Sequence, residues 1–359
     1  MNQSNLPNPF TQQTMIRDAE QFVGRRAELD QISNLLKKMQ GISLVGERRI
    51  GKSSLLYHIF LTGQSRLGEE MVFAYTDFPG VKDEKSFYQC LCEQLGRTGD
   101  KFSDLQDTVR KRRVVFCLDE FERVMRSPAF SRDFFDTLRS LAQSDNLALL
   151  IATEHPLSEL SLTKQIATSP FFNIFRQIEM GLFTPEEALE FIHNGFDEAN
   201  TEITENETER VLRLAGRFPF FLQLACYCLF EMKIGRAKEW ERAFRRDARP
   251  HLQYLWDRLK PSERATLRRV VDYGGVPNEE TAEDLARRGL LAPLQDAQGR
   301  RGWSPFSEAF EDLAAHPPSM PWRDRLARLR LSWLESVELS LWPPTIKLQS
   351  KRPADKPRT

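Results

Sequence analysis

The 359-residue chain has no excess of charge of either sign: 51 lysines and arginines meet 51 aspartates and glutamates, so the formal net charge is zero. A neutral whole gives no electrostatic argument for nucleic acid and leaves only local patches to consider. Nor does the chain have a run of eighteen apolar residues, so no span of it is expected to cross a membrane. Its first twenty residues are mostly polar, with Pro7-Asn8-Pro9, and lack the apolar segment of a secretory signal. Cysteine is sparse. Cys90, Cys92, Cys117, Cys226 and Cys228 form an odd set with no partners at zinc-finger spacing. Both C-x-C pairs fall in helix-like stretches, where residues two apart face different ways, so buried free thiols in a reducing cytosol are expected. With 40% hydrophobic and 28% charged residues, the composition is that of a globular protein with room for two or three domains. There are no internal repeats.

What is present begins with Gly46-Glu47-Arg48-Arg49-Ile50-Gly51-Lys52-Ser53, the pattern G-x-x-x-x-G-K-S. It follows the apolar run Ile42 to Val45 and leads through Ser54-Leu55-Leu56 into a helix. Strand, loop and helix in that order are the context of a phosphate cradle. Glycines let the backbone bend around an anion and aim its N–H groups inward, and the helix adds its positive end. In such a loop Lys52 reaches the β- and γ-phosphates and the Ser53 hydroxyl holds Mg²⁺, so ATP and Mg²⁺ are the expected cofactors.

Further apolar runs follow at Met71–Phe78, Val114–Leu118 and Leu147–Ala152, with a last core strand expected between Phe175 and Leu182. Short apolar strands alternating with helices predict a doubly covered parallel sheet, whose functional edge lies at the carboxyl ends of the strands. Gly46, Asp119-Glu120 and Thr153 all stand at such ends. Mg²⁺ needs few hard oxygen ligands besides water, which suits Asp119. Glu120 is expected to orient and deprotonate the attacking water, and Thr153 to meet the γ-phosphate or that water.

The remaining organisation is read as a polar arm over residues 1–21, an ATPase core over 22–183, a helical lid over 184–254, a winged-helix-like domain over 255–316, and an amphipathic helix with a disordered tail over 317–359. Thr184-Pro185-Glu186-Glu187 has the form of a capping box opening the lid. Helix, turn, helix and hairpin from Pro261 to Ala315 give the winged-helix order. Trp322, Leu326, Leu329, Trp333 and Val337 recur at helical spacing, and residues after Pro343 are expected to be disordered.

Phe22-Val23-Gly24-Arg25, the Gly46–Ser53 loop with Arg48-Arg49, the Leu118-Asp119-Glu120 strand end and Ala152-Thr153-Glu154 together resemble an AAA-type ATPase of the STAND class, whose prokaryotic members include archaeal-type ATPases. Gly216-Arg217-Phe218-Pro219 resembles the lid motif of that class. The resemblance runs from Phe22 to Gln223, and a winged helix after the lid is usual in the class. It implies that Phe22, Val23, Gly24 and Arg25 border the adenine and that Pro219 reports nucleotide state to the lid. Glu47, Arg48, Arg49, Ile50 and Ser54 complete the phosphate-binding loop, with Arg48 and Arg49 either supporting phosphates or facing solvent. Arg217 lies near the place of a lid arginine that meets the γ-phosphate. An arginine finger would come from a neighbouring subunit in a nucleotide-dependent homo-oligomer, with Arg176 as the candidate.

Between Pro261 and His316 seven basic residues face ten acidic ones. The helix that would enter a DNA groove begins Asn278-Glu279-Glu280 and continues to Glu283-Asp284, and carboxylates there oppose an approach to phosphates. The module is therefore read as a protein-contacting or autoinhibitory one, with Arg300-Arg301 on the hairpin as the basic feature left for DNA. The expected function is a slowly hydrolysing ATP switch in the cytoplasm that acts through protein partners. The alternatives are a DNA-directed initiator- or loader-like ATPase and a non-hydrolysing scaffold that keeps ATP as a structural ligand.

Overall fold

The computed structural model describes residues 6–10, 14–77, 81–143, 146–160, 173–274, 278–295, 301–317, 334–339 and 346–350. They form two compact units, Met1–Ala315 and His316–Thr359.

In the first unit the apolar runs become five parallel strands: β1 (Gly41–Val45), β2 (Met71–Asp77), β3 (Arg113–Asp119), β4 (Leu147–Thr153) and β5 (Phe175–Glu179). Their order is β2-β3-β4-β1-β5, all parallel. Both faces are covered, which is why the strands read as unbroken apolar runs. On one face lie α1 (Arg26–Leu36) and α2 (Lys52–Leu67). On the other lie α3 (Glu84–Gln94), α4 (Phe102–Lys111), the short α5 (Glu122–Arg126) and α6 (Arg132–Ala142), with α7 (Leu157–Leu160) after β4. The period of two survives beneath the continuous run: in β3, Val115 and Cys117 enter the first core, and Val114, Phe116 and Leu118 the second. Val45 stands level with Thr153 on one side and Glu179 on the other, so the loop after β1 starts beside the ends of β4 and β5.

Thr184 opens the lid as its sequence predicts. Its hydroxyl accepts from the Glu187 N–H at 3.2 Å and its own N–H donates to Glu187 Oε2 at 3.0 Å. The segment expected as a lid comprises α8 (Pro185–Glu198), α9 (Glu205–Ala215), α10 (Pro219–Lys233) and α11 (Trp240–Arg258). α10 is buried nearly all round, so Cys226 and Cys228 are both inside although two apart. α11 runs to Arg258, across the boundary expected at 254. There follow α12 (Pro261–Tyr273), α13 (Glu279–Arg287), the antiparallel ribbon of β6 (Leu291–Gln295) and β7 (Arg301–Pro305), and α14 (Glu308–Ala315).

Lid and ribbon share one core, because Phe306 at the end of β7 lies against Phe218, Phe221 and Phe310 with ring centroids 4.9–5.6 Å apart. Gly216 (φ 69°) makes that approach possible, since a Cβ there would stand 2.0 Å from the Phe306 carbonyl. The N-terminal segment, read as a polar arm, is in part an anchor. Phe10 is buried over Gly195 against Phe191 and Phe196, and Asn8 Nδ2 donates to the Tyr227 carbonyl and to Glu231. One phenylalanine in a polar stretch has enough apolar area to be drawn into the lid.

In the second unit β8 (Leu334–Leu339) and β9 (Ile346–Ser350) pair antiparallel. The helix expected across this stretch is not found at its end: Val337 is in a strand, while Trp322, Leu326, Leu329 and Trp333 lie outside the described residues. Ile346–Ser350 is likewise a strand where disorder was expected. Val337 and Leu339, like Ile346 and Leu348, alternate with polar residues, a period of two that overrides the helical spacing once two such segments pair.

Candidate functional site

The loop between β1 and α2 takes its shape from two left-handed residues, Arg49 (φ 69°) and Gly51 (φ 101°). The glycine is favoured by its φ, and the space in front of it is open, with no atom within 4 Å of where a Cβ would stand. At the other end of the loop Gly46 is closed in, with the Met180 carbonyl 2.8 Å from where a Cβ would stand. Lys52 is folded back on its own loop, Nζ donating to the Gly46 carbonyl at 2.7 Å and the Glu47 carbonyl at 2.9 Å. Burial lowers its pKa, opposed by Glu122, Asp119, Glu154 and Glu47 around it.

Asp119, at the end of β3, is 6% exposed. Its carboxylate accepts from the Ser53 hydroxyl, from the Glu120 N–H at 2.9 Å and from the Tyr75 hydroxyl at 3.3 Å. Burial raises its pKa, and the Ser53 and Glu120 hydrogen bonds and Lys52 act the other way. A half-buried lysine, a buried carboxylate and a serine hydroxyl thus converge beside an open cradle of backbone, a donor set that fits a magnesium-bound polyphosphate.

A cleft of about 370 Å³ runs from this point toward the lid. Of the residues singled out in the sequence, it brings together Phe22, Val23, Arg25, Arg48, Arg49, Ile50, Gly51, Lys52, Ser53, Ser54, Glu120 and Pro219. Several of these also have structural duties. Arg25 is 2% exposed and donates to the carbonyls of Ile50 (2.7 Å) and Gly181 (2.8 Å), pairs with Glu28, and lies over the Phe183 ring. Phe22 stacks on His58 at 4.2 Å. Arg49 lies 4.1 Å over Phe220 and donates to His251 at 3.3 Å, while Arg48 lies over Tyr254, so both loop arginines rest on lid aromatics.

Other expected residues point elsewhere. Gly24 is enclosed by Phe183 and Glu187. Thr153 is fully buried, and because the chain turns sharply after β4 its hydroxyl donates to the His155 carbonyl at 2.8 Å. Arg217 is taken up by the Phe183 carbonyl, and Arg176 is exposed on edge strand β5.

The sequence reading missed three things. Thr14, Met15 and Ile16 help wall the cleft, with the Ile16 N–H donating to Ser54 Oγ at 3.1 Å. Arg258, at the end of α11, pairs with Glu154 at the end of β4 at 3.1 Å. Most consequentially, Arg288, just after α13, reaches the phosphate loop itself. Its guanidinium holds Glu47 at 2.6 Å and Glu263 at 2.9 Å. Burial alone would lower the Arg288 pKa; Glu47 and Glu263 outweigh it and raise it. The one available signal was an acid inside the loop, at Glu47, with an Arg287-Arg288 pair far downstream.

Residues 98–276 match the family model described as novel STAND NTPase 2. No match was found among curated proteins. Among solved structures, the chain is similar to a Walker-type ATPase of Pyrococcus abyssi at 17% identity and a TM-score of 0.54, over 85% of this chain and 99% of that one. It is also similar to the ORC2 protein of Aeropyrum pernix in its ADPNP-ADP complexes at 13% identity and a TM-score of 0.57, over 90% and 99%. The family match runs from ahead of β3 through the lid, and the phosphate loop that precedes it sits on the same parallel sheet. The chain therefore has the fold of P-loop ATPases, and its middle segment matches a STAND NTPase family model.

Proposed function

We propose that this protein is an ATP-binding, slowly hydrolysing switch in which the phosphate loop is held in a resting arrangement by the segment after the lid. One observation carries this reading: Arg288 is bonded to Glu47 inside the loop and to Glu263 at the start of α12. In this arrangement the Glu47 carbonyl also receives Lys52. A triphosphate that draws Lys52 toward its own oxygens frees that carbonyl, and so perturbs the residue whose carboxylate anchors Arg288. Phosphate binding and release of the segment are then two readings of one local equilibrium, as a ligand-driven switch requires. Ser53 and Asp119 would hold Mg²⁺, which when bound supplies charge neutralisation for the β- and γ-phosphates.

The output runs through a protein partner, or through a second copy of the chain, that recognises the freed segment in the cytoplasm. To test this, binding of a fluorescent ATP analogue with Mg²⁺, ATP turnover and particle mass are measured together for the wild type, Lys52→Ala and Arg288→Ala. Loss of binding in K52A, with faster nucleotide exchange or turnover in R288A, is expected. ATP binding that is indifferent to both changes would overturn the reading.

A DNA-directed ATPase is the second reading, favoured by the order of α12, α13 and the β6–β7 ribbon, which is that of a winged helix. Against it, the first turns of α13 carry Glu279, Glu280, Glu283 and Asp284, and the arginines at its end are engaged with core acids, Arg287 with Glu179 and Arg288 with Glu47. Arg300 lies outside the described residues, and only the backbone of Arg301 is within them. Salt-dependent binding of a labelled duplex that strengthens with ATP would favour this second reading over the first.

A further inference from the structure

We infer that Tyr75 is a positioning residue for the cation site: its hydroxyl fixes the carboxylate of Asp119 in the orientation from which that group serves magnesium. The inference rests on the ATPase reading above.

Asp119 ends its strand, and the last torsion of an aspartate side chain is broad, so one hydrogen bond leaves the carboxylate free to swing. Its Oδ1 accepts from the Glu120 N–H at 2.9 Å. The Ser53 hydroxyl also donates to this carboxylate, yet Ser53 would itself hold the cation and is part of what has to be positioned. Tyr75 supplies a support from outside the phosphate loop, its hydroxyl standing 3.3 Å from Oδ2. The two oxygens of Asp119 are thus held from two directions, by a backbone N–H of its own chain segment and by a side chain of the neighbouring strand.

Tyr75 is placed for this by the sheet. On β2 it stands level with Cys117 of β3, while Asp77 stands level with Asp119. Side chains two apart on a strand share a face, so Tyr75 and Asp119 are diagonal neighbours on the side covered by α2. There the Tyr75 ring meets Tyr57 edge-on at 5.1 Å and Phe60 at 5.7 Å, both from α2. Its backbone is fixed as well. β2 is an edge strand, and the side-chain amide of Gln94, the last residue of α3, takes the place of a further strand. Gln94 Oε1 accepts from the Tyr75 N–H at 2.7 Å, and Nε2 donates to the Tyr75 carbonyl.

The contact with Asp119 is long for a hydroxyl bond because a second acceptor, Met15 Sδ in the wall of the cleft, lies 3.4 Å from the same oxygen. One proton serves two acceptors, and a carboxylate is a far stronger one than a thioether. Burial, then Asp119 and Asp77, raise the pKa of the phenol, so it keeps its proton and remains a donor.

The test compares wild type, Tyr75→Phe, Asp119→Asn and the double variant. Phenylalanine keeps the ring and its packing, so only the hydroxyl is lost. Affinity for a fluorescent ATP analogue is titrated against Mg²⁺ and measured again in EDTA. Y75F is expected to match wild type in EDTA within about twofold and to need about tenfold more Mg²⁺ to reach full affinity, the low end of the range typical for residues that orient a metal ligand. Asp119→Asn should lose most of the Mg²⁺ response, and Tyr75→Phe should add nothing to it, because the hydroxyl acts through that carboxylate. An unchanged Mg²⁺ requirement in Y75F overturns the assignment. So does weaker binding by Y75F in EDTA, or an effect that persists undiminished beside Asp119→Asn, since either makes the hydroxyl a support of the fold. Wild type that binds the analogue but ignores Mg²⁺ removes Asp119 from cation binding and defeats this inference alone. Wild type that binds no nucleotide defeats the ATPase reading, and this inference with it.

Discussion

The face of the sheet covered by α3, α4, α5 and α6 encloses a core of its own. Phe134 sits at its centre, with ring centroids 5.0–5.9 Å from those of Phe87, Tyr88, Phe130 and Phe135. The face covered by α1 and α2 has no such closure. Its apolar side chains continue past the carboxyl edge into α8 and α10, and onward to Phe306 and Phe310 beyond the lid. The acids Asp119 and Glu122 are mounted on β3 and α5, next to the enclosed core, whereas the phosphate loop opens the helix on the continuous side. Strain at the phosphates therefore has a path toward the lid and the segment after it, and little path the other way. In the proposed switch, Asp119 is the fixed reference and the loop the moving part.

The sharpest way to break this contrast is to loosen the enclosed face. Phe134→Ala removes a fully buried ring from a set of packed aromatics and is expected to cost about 3–5 kcal/mol of stability. Denaturant unfolding followed by tryptophan fluorescence measures it. If the two faces are as separate as they look, nucleotide affinity of the folded variant stays near wild type. A large change in affinity would mean that the reference is not fixed.

Lys52→Ala comes next. The half-buried ammonium is bonded, among the described residues, to its own loop carbonyls, so its removal leaves those groups to water and deletes a charged donor of the loop. A charged hydrogen bond is worth about 1.5–3 kcal/mol, so the analogue should bind about 10- to 150-fold more weakly. Titration of the fluorescent nucleotide shows this directly.

Much of this was legible before any coordinates. The P-loop, the apolar runs and the Thr184–Glu187 box are local patterns, and each appears where its residues place it. The pairing of Asp119 with Ser53 also followed from chemistry, because both bind a hard cation. Less legible was anything that depends on which way a side chain turns at a strand end. Thr153 and Glu120 stand at the expected positions in the chain, yet one hydroxyl folds onto His155, and one carboxylate borders the cleft while paired with Arg123. Least legible was the Glu47–Arg288 contact, since no local rule links residues so far apart in sequence. The tail shows the opposite failure at one position: Val337, the last residue of a helical spacing, stands in a strand paired with β9.

The Glu47–Arg288 contact tests the continuous face. Any neutral replacement of Arg288 strands a buried acid, so Arg288→Met, which keeps the side chain's bulk, is combined with Glu47→Gln, singly and together. If the contact couples loop and segment, Arg288→Met speeds nucleotide exchange by about 5- to 150-fold, the usual span of such couplings. The double variant should then fall short of the sum of the single effects by about 0.5–3 kcal/mol, as for residues in one network. Strict additivity, measured by stopped-flow displacement of the analogue, would reduce the contact to passive packing.

The smallest effect is expected where the lid joins the sheet. Thr184→Ala removes the hydroxyl that accepts from the Glu187 N–H, a cap worth about 1 kcal/mol. Glu187 does more than complete that cap: its Oε1 accepts from the Arg26 N–H at 3.2 Å, and its side chain lies over Gly24. The carboxylate therefore ties the start of α8 to the Phe22–Arg26 segment that walls the cleft, whereas the threonine ties only the helix to itself. Thr184→Ala should lower the thermal midpoint slightly and leave nucleotide affinity alone. Glu187→Ala should lower both, because it frees the wall as well as the cap. Equal effects of the two changes on affinity would place the link between lid and cleft elsewhere, in the Arg48 and Arg49 contacts with the lid aromatics.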